Sequence, residues 1–188
     1  IPVMSTKGGT GKTKVCVGLG RALKEIGFKV GFLDVDWLAP NLHIELGLNS
    51  EHGLSLRSGV GDVIQPILTL EGFTLLSSSF IFPSDQAISM DEESLVKDIS
   101  EVISPGVVDW GDIDYLLMDT PPTTSRVLQM ALGIKNLYGV VLVVQPAKLA
   151  IADLIRTLSL IKDLSIPVLG LVGNQVYVIC PHGEKVDL

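Results

Sequence analysis

The sequence predicts an α/β fold: a doubly wound, mostly parallel sheet with helices on both faces. Three observations predict it. Short apolar runs such as residues 115–118 and 138–144 are strand-sized and too continuous for a sheet with one wet face. Segments of helical period lie between them, over residues 15–26, 91–103 and 149–164. The first apolar run, Ile1-Pro2-Val3-Met4, leads into a glycine-rich stretch that opens the first helical segment. Strand, turn and helix in that order start an α/β unit.

The elements follow in chain order. Val15, Leu19, Ala22, Leu23 and Ile26 recur at helical spacing, with Gly27 placed to cap the helix. Cys16 lies among apolar neighbours on this helix and reads as a buried structural thiol. Residues 29–34 form a second buried strand, residues 40–47 a short helical turn, and the Ser/Gly-rich residues 49–61 a surface loop. His43 and His52 lack ligand-spaced partners and are assigned to the surface. A strand over residues 73–78 and a loop over residues 84–90 precede the helix at 91–103, whose acidic face is a solvated surface and which Pro105-Gly106 stops. After the strand ending at Asp119 come a helix at 123–133, a valine-rich strand at 138–144 closed by Gln145-Pro146, a long helix at 149–164 and a buried strand at 167–172.

Bulk properties narrow the function. The chain has 188 residues, enough for one domain with a real core. A net charge of −7 argues against a broad basic face for nucleic acid or anionic lipid, so neither partner is expected. No apolar run is long enough to span a bilayer, and no signal peptide precedes the first motif. Cys16 and Cys180 are too far apart in sequence to make a disulfide framework, which fits a cytoplasmic protein. The chain lacks an initiator Met and begins inside its first strand. The expectation is a single nucleotide-binding domain over residues 1–188, incomplete at both ends.

The chemistry is concentrated in Ser5-Thr6-Lys7-Gly8-Gly9-Thr10-Gly11-Lys12-Thr13. Small residues let the backbone wrap a phosphate, so that the N–H groups of Gly8, Gly9, Thr10 and Gly11 and the helix N-terminus all face the anion. Lys12 supplies charge for the β- and γ-phosphates, and the Thr13 hydroxyl can ligate Mg²⁺. The usual pattern G-x-x-x-x-G-K-[ST] has glycine where this chain has Thr6, and a second lysine, Lys7, opens the loop. Asp34 and Asp36 stand two apart at a strand end and are expected to emerge together at the ligand-binding edge. Asp36 would help hold Mg²⁺ and orient the attacking water, with Asp34 supporting it. Asp119 ends an apolar run, where a carboxylate meets the metal, usually through water. Pro121 and Pro122 stiffen the next turn, which suits a segment that senses the γ-phosphate. Asn174 is either a turn residue or a carboxamide matched to the N6 and N7 edge of adenine.

Four segments occur in order: the lysine-bearing loop, D-V-D-W-L-A-P at residues 34–40, W-G-D-I-D-Y-L-L-M-D-T-P-P at 110–122, and N-Q-V-Y-V-I-C-P-H-G at 174–183. Together they resemble the Mrp/ApbC family of deviant Walker A P-loop ATPases, relatives of MinD and ParA that carry iron–sulfur clusters. The resemblance covers nearly the whole chain. It implies a P-loop NTPase fold, a homodimer with ATP or ADP near its interface, and Lys7 reaching the partner's phosphates. Catalysis would fall to Lys7, Lys12 and Asp36, Mg²⁺ to Thr13, Asp36 and Asp119, and the base to Asn174.

The family's C-P-x-C stands here as Cys180-Pro181-His182-Gly183. Family members bridge one cluster between two subunits with two cysteines from each. A dimer of this chain offers Cys180 twice, with His182 to supplement it; the other reading of Cys180 is an ordinary loop cysteine. The implied activity is slow ATP hydrolysis that gates delivery of an iron–sulfur cluster to apo iron–sulfur proteins. The alternatives are a ParA- or MinD-like switch acting on DNA or membrane, and a synthetase that phosphorylates a carboxylate.

Overall fold

The computed structural model describes residues 1–48, 55–57, 63–80, 92–121, 128, 131–134 and 137–187. The expectations for His52, residues 84–90, Asp91, Pro122 and most of the 123–133 helix lie outside them.

Four strands carry the centre: β1 (Pro2–Ser5), β2 (Val30–Asp34), β7 (Tyr115–Asp119) and β8 (Val140–Val144). With β5 (Ile67–Leu68), β6 (Thr74–Leu76) and β9 (Val168–Gly173) they form a seven-stranded sheet in the order β5-β6-β2-β7-β1-β8-β9. Every pairing in it is parallel except β5 with β6. Two hairpins stand apart, β3 (Ser55–Arg57) with β4 (Val63–Gln65) and β10 (Tyr177–Ile179) with β11 (Lys185–Asp187). The α-helices with described bounds are α1 (Lys12–Glu25), α2 (Leu42–Glu45), α3 (Glu92–Ile103) and α4 (Lys148–Asp163); Leu128, Ala131 and Leu132 are helical as well. None is long and apolar enough to cross a membrane.

Alternation along each strand sorts side chains to the two faces. Phe32 of β2 packs with Cys16, Val17, Phe73 and Leu75 under α1, whereas its neighbour Leu33 packs with Met118, Ile99 and Val102 under α3. Met4 and Leu142 build a third cluster with Ile161 of α4. The contact of α1 with the sheet depends on Gly20. A β-carbon there would lie 2.2 Å from Phe32 Cζ, so a methyl group would overpack the face at a cost of about 1–3 kcal/mol.

Three expectations are corrected. Part of the 49–61 loop is strand, because Ser55–Arg57 pairs antiparallel with Val63–Gln65. His43 is buried, not superficial; α2 turns it inward against the Phe80 ring, with centroids 5.8 Å apart. The last apolar run is an edge strand, not a buried one. Val168, Leu169 and Leu171 of β9 are 42–56% exposed, with β8 the one neighbouring strand among the described residues. Cys16 is fully buried, and burial first, then the charge on Asp119, raises its thiol pKa well above the ordinary range. It is a packing residue, as its apolar setting predicts.

Candidate functional site

Parallel strands put all their C-terminal ends on one edge, and β1, β2, β7, β8 and β9 each deliver a polar residue there. The chain turns one way from β1 to β2 and the other way from β7 to β8, so the crevice opens over β1. The glycine-rich loop fills this position. Ser5 ends β1, its hydroxyl donates to the Lys7 carbonyl at 3.1 Å, and α1 starts at Lys12. Gly9 and Gly11 hold φ of 78° and 82°, a left-handed conformation that glycine adopts without penalty. A cleft of about 480 Å³ lies over the loop, lined by residues 7–14 together with Asp36, Ile44, Asn174 and Gln175. Lys7, Gly8 and Gly9 are exposed at its mouth.

Beneath the cleft Lys12, Thr13 and Asp119 satisfy one another. Lys12 folds back and pairs with Asp119, both nearly buried, and the Thr13 hydroxyl donates to the other Asp119 oxygen at 2.7 Å. The charge of Lys12 is therefore neutralised within the chain. Register explains the neighbouring acid. Asp34 and Asp119 are partners across β2 and β7, so their side chains stand on the same face. Lys12 serves Asp119. Asp34 instead accepts the N–H groups of Asp36 at 3.1 Å and Leu42 at 3.2 Å, and the Ser77 hydroxyl at 3.4 Å. Burial, then the charge of Asp119, pushes the Asp34 carboxyl up to about 8, so it is protonated at neutral pH.

Asp34 and Asp36 do not emerge together as expected. β2 ends at Asp34, which is wholly buried, while Asp36 lies past the strand end and lines the cleft. Burial raises the Asp36 pKa, and the nearby Lys12 works against that shift. The two acids have separate duties: Asp34 pins the turn into α2, and Asp36 faces ligand space. Thr13, Asp36 and Asp119 offer hard oxygens of the kind Mg²⁺ takes, one or two carboxylates beside phosphate and water oxygens. Thr10 adds a buried hydroxyl with no partner among the described residues. This donor set fits Mg²⁺. No cluster of three or more His, Cys, Asp or Glu among the described residues is placed to hold a metal by itself.

Asn174 follows β9 and lines the cleft, and its carboxamide donates to the Thr10 carbonyl at 2.7 Å. Two residues not assigned from sequence join it. Gln175 donates to the Gly9 carbonyl at 3.2 Å, and Gln145, after β8, reaches both that carbonyl at 3.5 Å and the Gln175 side chain. The signal available in the sequence was position: each glutamine stands just past a strand end on the ligand edge. Cys180 is not among the residues lining the cleft. It starts the turn between β10 and β11, where its N–H bonds the Glu184 carbonyl and its own carbonyl accepts from Gly183, both at 2.9 Å. Its thiol is free and half-buried, and His182 beside it is exposed.

Comparison with known proteins agrees with this geometry. An iron–sulfur cluster carrier protein of Methanocaldococcus jannaschii is 33% identical over 187 residues, covering 99% of this chain and 63% of that protein. One from Aquifex aeolicus is 38% identical over 188 residues, covering 98% of this chain and 50% of its own length. The chain thus spans about half to two thirds of these relatives. Among solved structures, a nucleotide-binding protein from Archaeoglobus fulgidus in complex with ADP superposes with a TM-score of 0.79 at 31% identity, over 100% of this chain and 71% of that one. The septum site-determining protein MinD of Pyrococcus horikoshii, complexed with Mg-ADP, shares the fold with a TM-score of 0.65 at 23% identity, over 92% and 68%. The family model for the NUBPL iron-transfer P-loop NTPases, of the ParA group, matches residues 1–187. With its glycine-rich loop, its Lys12–Asp119 pair and its parallel sheet, the chain belongs to that family.

Proposed function

We propose that this chain binds ATP with Mg²⁺, hydrolyses it slowly as a homodimer, and uses the nucleotide state to control transfer of an iron–sulfur cluster to apo iron–sulfur proteins. The observation that carries the nucleotide half is the wiring of Lys12 and Thr13 to Asp119 directly beneath a cleft walled by loop amides. A triphosphate entering the cleft takes Lys12 from Asp119. The loop N–H groups and the α1 N-terminus hold the β- and γ-phosphates. Mg²⁺, when bound, supplies charge that offsets the phosphates, and Thr13, Asp36 and Asp119 are the residues that would hold it.

Asp36, at the cleft wall, orients the water that attacks the γ-phosphorus in line. The bond from that phosphorus to the β–γ bridging oxygen breaks, ADP leaves, and the water's proton passes to the released phosphate. Lys7 stands exposed at the mouth, free to offset the phosphate charge of a second subunit. The cluster is cargo in this scheme. Cys180 from each of two subunits, supplemented by His182, supplies its ligands, a reading supported by the names of the relatives and by the exposed turn that carries both residues.

Two measurements test it. Titration with ADP and Mg²⁺ should show binding that Lys12→Ala abolishes, and phosphate release from ATP should fall in Lys7→Ala while binding survives. Anaerobic reconstitution should leave iron and sulfide on the wild type but not on Cys180→Ala. Absence of nucleotide binding sinks the first half of the proposal, and equal iron on both proteins sinks the second.

A further inference from the structure

The carboxamides past β8 and β9 have a use beyond lining the cleft. A trans peptide is planar, with its C=O and N–H pointing in opposite directions. The Thr10 carbonyl belongs to the peptide whose N–H is that of Gly11, and the Gly9 carbonyl to the peptide whose N–H is that of Thr10. Asn174 holds the first carbonyl at 2.7 Å, and Gln175 with Gln145 holds the second at 3.2 and 3.5 Å. Each of these bonds turns one loop N–H away from the strand ends. Those are two of the amides that a bound phosphate needs.

Three further observations show that this contact is built in. A β-carbon on Gly11 would lie 2.3 Å from the Asn174 nitrogen, so the approach exists only because that residue is glycine. Gln175 holds φ of 55°, one of only two positive values at non-glycine residues among those described. Such a backbone is costly and persists where the surroundings demand it. The Asn174 N–H is in turn bonded to the Val144 carbonyl at 2.9 Å, which ties the clamp to the end of β8.

We propose that Asn174 and Gln175, braced by Gln145, are positioning residues of the phosphate loop: they hold its carbonyls so that the Thr10 and Gly11 amides face the phosphates. Asn174 then acts on the phosphate end of the ligand through one carboxamide N–H. This assignment rests on the nucleotide-binding reading above.

The test separates phosphate from base by using a ligand without a base. Mg-ADP and Mg-pyrophosphate are titrated calorimetrically into the wild type, Asn174→Ala, Asn174→Asp and Gln175→Gly. Loss of one such hydrogen bond should weaken both ligands alike, by about five- to tenfold. Asn174→Asp should be worse than Asn174→Ala, because it sets a carboxylate against the Thr10 carbonyl. Gln175→Gly relieves the backbone while deleting the carboxamide. It should therefore unfold at or above the wild-type denaturant midpoint and still bind pyrophosphate more weakly, a split that a purely structural role would not produce. If Asn174→Ala fails to fold, Gln175→Gly and Gln145→Ala carry the same comparison.

Weakening of ADP with pyrophosphate untouched would make Asn174 a base reader and overturn the proposal. Unchanged affinity for both ligands would overturn it as well. A wild type that binds neither ligand would overturn the nucleotide reading too, and is thereby told apart from failure of the clamp alone.

Discussion

Where β1 meets β7, Lys12, Thr13 and Asp119 satisfy one another inside the protein, and Asp34 is held by two backbone amides and Ser77. At the far end of the same edge, β9 leaves Val168, Leu169 and Leu171 open, and the hairpin beyond it carries Cys180 at a turn closed by backbone bonds to Gly183 and Glu184. The first region is a site assembled within one chain, with Lys12, Thr13, Asp34 and Asp119 each matched to a partner in the chain itself. The second offers one thiol and exposed apolar surface, and no set of metal ligands gathers there among the described residues. The contrast is between charged and polar groups paired deep in the sheet and a single thiol on a turn beside exposed apolar strand residues.

Mutations on the two sides should differ in proportion. Lys12→Ala should be the most damaging, since it leaves Asp119 buried without its cation, a loss of about 3–5 kcal/mol in urea unfolding. Lys12→Met combined with Asp119→Asn should recover much of that loss, because no unpaired charge remains; a double variant no more stable than Lys12→Ala would break the comparison. Asp34→Ala comes next. It strands the Leu42 and Asp36 amides at a cost of about 2 kcal/mol.

Asp34 also sets a pH dependence. Between its ordinary value of 3.8 and about 8 the folded state keeps a proton that the unfolded state has lost. Its contribution is therefore full below 3.8 and declines as pH rises through that window. Denaturation midpoints in magnesium-free buffer should show the decline in the wild type and a flatter profile in Asp34→Asn.

His43 should act more weakly and at the opposite end of the scale. Burial lowers its pKa below 6.5, so its contribution is present above that value and lost as pH falls through the lower folded one. Thermal melts of His43→Gln should lack this acid-side loss. Cys180→Ser should change stability least, within about 0.5 kcal/mol, because its turn is held by main-chain bonds. A larger destabilisation would mean that the hairpin is part of the core after all.

The loop was legible because its requirements are local. A strand, a glycine-rich turn and a following helix can all be read from the first part of the chain, and β1, the loop and α1 follow in that order; that Gly9 and Gly11 are left-handed is seen only in the structure. Asp119 was legible for a similar reason, as the acid ending a buried strand. The expectation of two acids emerging side by side failed because it assumed that β2 runs past Asp34. The strand stops there, and the turn into α2 uses Asp34 as its acceptor. His43 was misplaced because a four-residue helix shows too little periodicity to reveal which side is inward. Position past a strand end marked Asn174, but its bond to the Thr10 carbonyl could not be read, because the two are 164 residues apart.

The sequence by itself determined the fold class, the phosphate loop and the acids that end the strands, since strand length, helical period and turn chemistry act between near neighbours. Tertiary structure decided which acid is buried away from any cation, which histidine is buried, which apolar strand is left at the edge, and what holds the loop's carbonyls. Those outcomes depend on the register of β2 against β7 and on the placement of β9 beside β8. Pairings between distant segments are set by the summed burial of the whole sheet, and no short stretch of the chain encodes them.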